Sequence, residues 1–313
     1  MNHKNRLLMT LGGLYLMFLS AFRSYALQTQ ETAVPIPDVT DQPLCGDEVE
    51  WIMLAVAIDY RGIDYLYGLS DVIRVARVDF TTPHINVVAL PRNLLVDPPA
   101  TLNIQGQILL NQAYLFGSPG MDHFQDDGYG AGALAETIRK SFGIDTGHYV
   151  VVDFNAVRAF IDAIGGVEVD LPDYVDDRPN SFFPAGKQTL NGEQVLRLAR
   201  IRLKYSDIQR ISNQTLILEA VLRRFQEPFV VLRLAAALPD LLDSVLTDIG
   251  PDELPALLCL LPKMQPEDVV FHDPPLELLE YSAEYIMNMS QEMLIYRWDQ
   301  AYRDWLQAAL TSH

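Results

Sequence analysis

His148–Pro172 reads HYVVVDFNAVRAFIDAIGGVEVDLP, and its grammar changes twice within that length. His148–Asp153 is a strand of β-branched residues. Asn155–Ile164 is a helix ended by Gly165-Gly166, and Val167–Leu171 is a second strand stopped by Pro172. Strand, helix and strand in quick succession are the unit of an α/β layered sheet.

The same alternation extends outward. Toward the N-terminus, Trp51–Asp59 (WIMLAVAID) is almost wholly apolar, as a strand covered on both faces must be. Asp71–Phe80 and His84–Pro91 are two more strands, separated by the turn Thr81-Thr82-Pro83. Gly130–Phe142 is a helix closed by Gly143. Tyr174–Pro184 is polar and reads as a surface loop. Beyond Phe225 the character changes: Val230–Leu246, Asp252–Leu261 and Gln291–Leu310 read as helical runs, with one short strand at Val269–Phe271. The expectation is an α-β-α sandwich with a central mixed sheet over 51–226, followed by a mainly helical extension over 227–313.

The first 26 residues carry Lys4, Arg6 and Arg23, no acid, and an uncharged run from Leu7 to Phe22. This is the pattern of an export signal or a short membrane anchor, and 27–50 is a Pro- and acid-rich linker. The chain of 313 residues has a formal charge of −18; without 1–26 the remainder stands at −21. A body so acidic does not bind nucleic acid by general attraction, so any anionic ligand requires a local basic pocket. Cys45 and Cys259, the two cysteines, leave two readings. In an exported protein they form one disulfide; otherwise they are separate thiols, Cys259 being buried in an apolar helix.

The local basic pocket has one obvious source. Residues 186–214 concentrate Arg200, Arg202, Lys204 and Arg210. Asn191 starts a short amphipathic helix, Arg200–Lys204 reads as an extended connector, and Ser206 caps a helix from about Asp207. Extension puts Arg200 and Arg202 on one side. Helical spacing puts Asp207, Arg210 and Gln214 on one face. Guanidinium groups aimed together suit a diphosphate. Asp59 ends one strand and Asp71 begins the next; the short connection favours antiparallel pairing, which brings both carboxylates to one sheet edge. Such a pair suits Mg²⁺, which takes one or two carboxylates plus substrate phosphate. Arg92 ends the third strand.

The strings LAVAIDYRG, LSDVIRVARVD, VVALPRN, LNQAY, the His148–Pro172 stretch and AGKQTLNGEQVLRLARIR occur in the order that resembles LytR-CpsA-Psr proteins, from about Trp51 to Phe225. The resemblance implies a membrane-anchored, extracytoplasmic phosphotransferase. It would move a glycan polymer from a polyprenyl-pyrophosphate carrier to a peptidoglycan hydroxyl through a phosphodiester, with the lipid tail in an apolar groove. By motif, Asp59 and Asp71 correspond to the Mg²⁺-associated acids, and Arg92, Arg200, Arg202, Arg210 and Gln214 to the diphosphate-binding set. Asp71, Arg200, Arg202, Asp207 and Arg210 correspond to the catalytic set. Leu69, Asn93, Tyr205 and Asn213 depart from the family pattern, and Arg61 or Arg74 are the available substitutes for the missing arginines. A non-catalytic polyprenyl-diphosphate scaffold is the competing reading. A transcriptional regulator is disfavoured by the acidic body and the lack of a basic reading face.

Overall fold

A computed structural model describes residues 42–312, apart from 61–64, 66, 127, 178, 180, 202–206, 228, 231–232, 235 and 238–244. Running along the chain, β1 (Glu50–Ile58), β2 (Ser70–Asp79) and β3 (His84–Ala89) form an antiparallel meander. Two short strands, β4 (Leu95–Val96) and β5 (Ile108–Leu109), lead into α1 (Leu110–Gly117) and α2 (Tyr129–Phe142). The opening stretch follows as expected: β6 (His148–Asp153), α3 (Phe154–Ala163) and β7 (Val167–Leu171). Asp153 caps α3 by accepting from the Ala156 N–H at 2.6 Å. Gly165 and Gly166 both have φ above +80°, and a Cβ on Gly166 would meet the Leu190 carbonyl at 2.8 Å, so this turn requires glycine.

Tyr174–Pro184, expected as a loop, contains a small hairpin of β8 (Val175–Asp177) and β9 (Ser181–Phe183). Then come β10 (Gly186–Leu190), paired with β7, and the helices α4 (Gly192–Arg200) and α5 (Asp207–Phe225). After residue 226 the chain adds β11 (Val245–Thr247), α6 (Leu254–Leu260), β12 (Val269–His272), β13 (Leu279–Ile286), β14 (Gln291–Trp298) and α7 (Gln300–Thr311). The main sheet has the order β11-β6-β1-β2-β3-β12 and is mixed: β6 and β12 run parallel to their inner neighbours, the other pairs antiparallel.

Two expectations about the C-terminal part are corrected. It does not form a mainly helical extension, because both edge strands of the main sheet, β11 and β12, come from it. The helix expected over Gln291–Leu310 is instead strand β14, paired with β13, followed by α7. The run EMLIYRW supports either period in so short a space, and pairing with LEYSAEYI decides for the strand. The helix expected over Val230–Leu246 ends in strand β11 at Val245, while most of its remaining residues lie outside those described.

Alternation along the strands separates two faces. Leu54, Ile58, Ile73, Val75, Val88 and Val151 point to one face and are at most 2% exposed. There α1, α2 and α7 close over them with Leu110, Tyr114, Leu134, Ile138, Phe142, Tyr302 and Leu306. On the other face Ala55, Ala57, Val72, Ala76, Val87, Val150 and Val152 line an apolar cavity of about 460 Å³ beneath α4 and α5. Met264, Pro266, Val269 and Phe271 also line it, so the C-terminal part covers the cavity. Trp51 and Phe80 pack at that end with Leu260 and Met264, beside the disulfide joining Cys45 to Cys259.

Candidate active site

The site is built where β1 ends and β2 begins. Gly68 lies against the Asp59 backbone so tightly that a Cβ there would stand 2.1 Å from the Asp59 carbonyl oxygen. The Asp59 N–H donates to the Leu69 carbonyl at 3.2 Å, and the pairing register shifts between Ala57 and Ile58, as a β-bulge does. The expected antiparallel pairing therefore holds, and Asp59 and Asp71 share one edge of the sheet.

Arg92, just beyond β3, donates from Nη1 to Asp71 Oδ1 at 2.6 Å and from Nε to Asp207 Oδ1 at 3.3 Å. Arg210 Nη2 reaches the same Asp207 oxygen at 2.9 Å. Two strand ends and the first turn of α5 are thereby tied by a chain of charges, Asp71–Arg92–Asp207–Arg210. Asp207 also sits at the positive end of the α5 dipole, which favours a carboxylate. Arg210 is 3% exposed, so its charge is compensated rather than solvated.

Arg200 occupies the last turn of α4, not an extended connector, and its guanidinium lies 4.8 Å from the centre of the Phe154 ring. With Asp59, Asn155, Arg158, Glu193 and Arg197 it lines a polar pocket of about 260 Å³. Gln214 links the two parts: its amide donates to the Ala199 carbonyl at 3.2 Å, and Gln214, Ala199 and Val72 all line the apolar cavity. The polar groups thus stand at one end of the apolar space. Arg202, together with Lys204, Tyr205 and Arg61, lies outside the described residues.

Arg74 does not replace a missing phosphate ligand at this edge. It is 3% exposed inside the apolar cavity, donating to the Ile211 carbonyl and the Thr215 hydroxyl and facing Asp273 at 3.5 Å. Burial lowers its pKa to about 10, against the raising effect of Asp273, so it stays charged at neutral pH. Its place is structural, binding α5 to the loop after β12. Asn93 has an equally local explanation. Its side-chain NH₂ donates to the Leu294 carbonyl at 3.0 Å, a bond that an aspartate cannot donate. Asn213 is buried, with its Nδ2 unpaired among the described residues.

Sequence reasoning did not bring Arg158, Arg197 or Phe154 to the site, because their positions depend on how α3 meets α4. From sequence, Tyr281, Tyr285, Tyr296 and Tyr302 read as packing residues in preference to a sugar-stacking platform, which gives Tyr296 no place at this site. That residue is 2% exposed, and burial pushes its hydroxyl up to about 12, with the Asp207 charge adding and Arg210 opposing. Spacing alone could not show that β14 returns to this edge.

Asp59 and Asp71 offer hard oxygen donors, and no cluster of three or more His, Cys, Asp or Glu forms a metal cage among the described residues. One or two carboxylates completed by phosphate and water is the donor set Mg²⁺ takes, so the residues fit such an ion.

The LytR_cpsA_psr family model matches residues 41–303. An Enterococcus faecalis protein named polyisoprenyl-teichoic acid–peptidoglycan teichoic acid transferase TagU is 28% identical over 190 residues, 60% of this chain and 57% of its own length. Bacillus subtilis TagV, with the corresponding transferase name, is 29% identical over 165 residues, 50% of this chain and 39% of that one. Staphylococcus aureus MsrR, named a regulatory protein, is 25% identical over 173 residues, 54% of this chain and 47% of that one. The matches thus span about half the length of these curated relatives. Among solved structures, Bacillus subtilis TagV has a TM-score of 0.63 at 23% identity, covering 84% of this chain and 98% of that one. A Streptococcus agalactiae protein has a TM-score of 0.64 at 16% identity, covering 84% and 89%. These likenesses bear out the α/β fold, and the family model, matching well over half of the chain, establishes that the chain belongs to the LytR-CpsA-Psr family.

Proposed function

We propose that this chain transfers a cell-wall glycopolymer from a polyprenyl-diphosphate carrier to a hydroxyl of peptidoglycan, acting outside the cytoplasm at the membrane. One observation carries the reading: an apolar cavity of about 460 Å³ ends at Ala199 and Gln214, beside the Asp71–Arg92–Asp207–Arg210 cluster and the Arg200 pocket. A ligand with a long hydrocarbon and a doubly charged head has that division of chemistry. The transferase names of the TagU and TagV relatives support the substrate class. The disulfide supports an oxidising compartment. The export or anchor segment at 1–26 belongs to the same proposal and lies outside the described residues; no described helix is long and apolar enough to cross a membrane.

In the proposed reaction the acceptor hydroxyl oxygen bonds to the carrier-distal phosphorus. The bond from that phosphorus to the bridging oxygen breaks, and the electron pair and the hydroxyl proton end on polyprenyl phosphate. Arg92, Arg200 and Arg210 face the growing charge, and Arg202 is assigned with them by motif. Mg²⁺ held by Asp59 and Asp71 would supply further charge neutralisation at the diphosphate. Phosphoryl transfer is accelerated chiefly by positioning and electrostatics, so little is asked of a base. Asp207, shared by two guanidiniums, orients them.

The test uses the full chain with a polyprenyl-diphosphate-linked glycan, peptidoglycan and Mg²⁺. Transfer is expected, with a fall of at least about a hundredfold in Arg92→Ala, Arg200→Ala and Asp71→Ala. The mutual pairing of Arg92 and Arg210 with Asp71 and Asp207 favours one alternative, a lipid-diphosphate scaffold whose charges are already satisfied. Tight carrier binding by the unmodified chain without transfer would establish that alternative and end the catalytic one.

A further inference from the structure

The β13–β14 hairpin presents two unlike faces. Ile286 and Ile295 point to one face and pack on Leu95 and Leu109. On the other, Leu279, Tyr281, Ala283 and Tyr285 stand across from Trp298, Tyr296, Leu294 and Glu292. The inner end of this second face is in the core, with Leu279 9% and Tyr296 2% exposed. The outer end is open: Tyr281 is 54%, Tyr285 64% and Leu294 54% exposed.

The hairpin is held firmly in place. The Tyr296 N–H donates to the Asn93 carbonyl at 3.0 Å, and the Asn93 amide donates to the Leu294 carbonyl. The Trp298 indole donates to the Leu95 carbonyl at 2.9 Å, and Asn288 donates to the carbonyls of Gln105 and Gln107. An aromatic strip so anchored is a surface prepared for contact.

From this juxtaposition of an exposed tyrosine strip with the Asp207–Arg210 end of the site, we infer that the strip docks the acceptor. The occupant is an uncharged glycan chain whose sugar rings stack on Tyr281 and Tyr285. The inference rests on the transferase reading and names the partner of that same site.

Continuity is the first argument. The Tyr281 ring packs against Tyr296 with centroids 5.2 Å apart at 42°, and the Tyr296 N–H bonds the carbonyl of Asn93, the residue next to the Arg92 that pairs with Asp207. The strip therefore begins in solvent and is joined, through the buried Tyr296, to the segment that carries Arg92. Chemistry is the second. A tyrosine offers a flat apolar ring to the C–H face of a sugar and a hydroxyl to its polar rim. Tyr281 and Tyr285 are separated by roughly 13–14 Å of strand, so a chain of sugars, not a single ring, spans both.

Charge is the third. Glu292 stands on the strip's own face opposite Tyr285, and no lysine or arginine of the hairpin shares that face, since Arg297 lies on the other one, paired with Glu284. An anionic polymer is repelled here, whereas an uncharged sugar backbone is not. The anionic donor instead has the pocket lined by Arg158, Arg197 and Arg200. The two substrates thus meet surroundings of different charge.

The probe is an uncharged β-1,4-linked N-acetylglucosamine hexamer, titrated onto the full chain without donor. Binding is expected, weakened at least tenfold in Tyr281→Ala/Tyr285→Ala and kept within about threefold in Tyr281→Phe/Tyr285→Phe. Polyprenyl-diphosphate binding should be equal in all three proteins, which also shows that each is folded. Where transfer is measurable, the alanine pair should raise the acceptor KM and leave kcat and the donor KM unchanged. Absence of hexamer binding by the unmodified chain, or equal binding by the alanine pair, overturns the inference. So does a tyrosine-dependent association with a second copy of the chain or with an anionic polymer in place of the hexamer. Loss of transfer with tyrosine-dependent hexamer binding intact would instead fall on the transferase reading.

Discussion

The two faces of the main sheet are made from the same strands and come to opposite ends. On the face under α1, α2 and α7, leucine, isoleucine and valine interdigitate with Tyr114, Phe142 and Tyr302, and the space is filled. On the face under α4 and α5 the same strands present Ala55, Ala57 and Ala76, and a cavity of about 460 Å³ remains. An interior normally packs to crystal density, so an unfilled apolar space of this size is stability forgone. The contrast teaches where to look for function: one face holds the fold together, and the other is shaped for an occupant.

That contrast can be broken from either side. Leu134→Ala on the filled face should lower unfolding free energy by about 2–5 kcal/mol in denaturant titration, because the hole left there cannot collapse. Leu218→Ala on the open face should cost less than about 1 kcal/mol, since the side chain already borders empty space. Equal losses would show the two faces to be alike. Ala57→Phe sharpens the point from the other direction. Filling the cavity should weaken polyprenyl-diphosphate binding at least tenfold while stability shifts by no more than about 1 kcal/mol.

A modest, pH-dependent effect belongs to a site on neither face. Asp79 closes the turn after β2. Burial alone would raise its pKa, but hydrogen bonds from Thr81 and Thr82 and the charge of Arg77 outweigh it, and the net shift is downward. A folded-state pKa below the unfolded one stabilises above about pH 4 and is lost as pH falls through the folded value. Asp79→Asn should therefore cost about 1 kcal/mol at pH 7 and almost nothing at pH 2, measured by thermal unfolding at both.

Much of the central architecture was legible in order and period. The His148–Pro172 stretch, the apolar Trp51–Asp59 run and the turn before His84 correctly announced β6–α3–β7 and the meander. Site residues that lie at strand ends or on one helix face, Asp71, Arg92, Asp207 and Arg210, could be listed before their meeting was visible. Arg74 misled as a possible phosphate ligand because a lone arginine in a strand carries no sign of which face it enters. The helical reading of Gln291–Leu310 held over α7 and failed over β14 for a related reason: whether EMLIYRW is strand or helix depends on a partner strand, and pairing energy is not a local quantity.

Period and side-chain chemistry are written locally, and from them alone come β1–β3, β6, β7 and β12, most of the helices and the residue types from which a diphosphate site is made. Only the tertiary structure decided that Asp71, Arg92, Asp207 and Arg210 form one charge chain, that Cys45 joins Cys259, and that small residues from several strands leave a common cavity. It also decided that Tyr296 returns beside the Asn93–Leu94 backbone, next to Arg92. Each of these depends on the distance between residues far apart in the chain, and that distance is set by how whole layers pack.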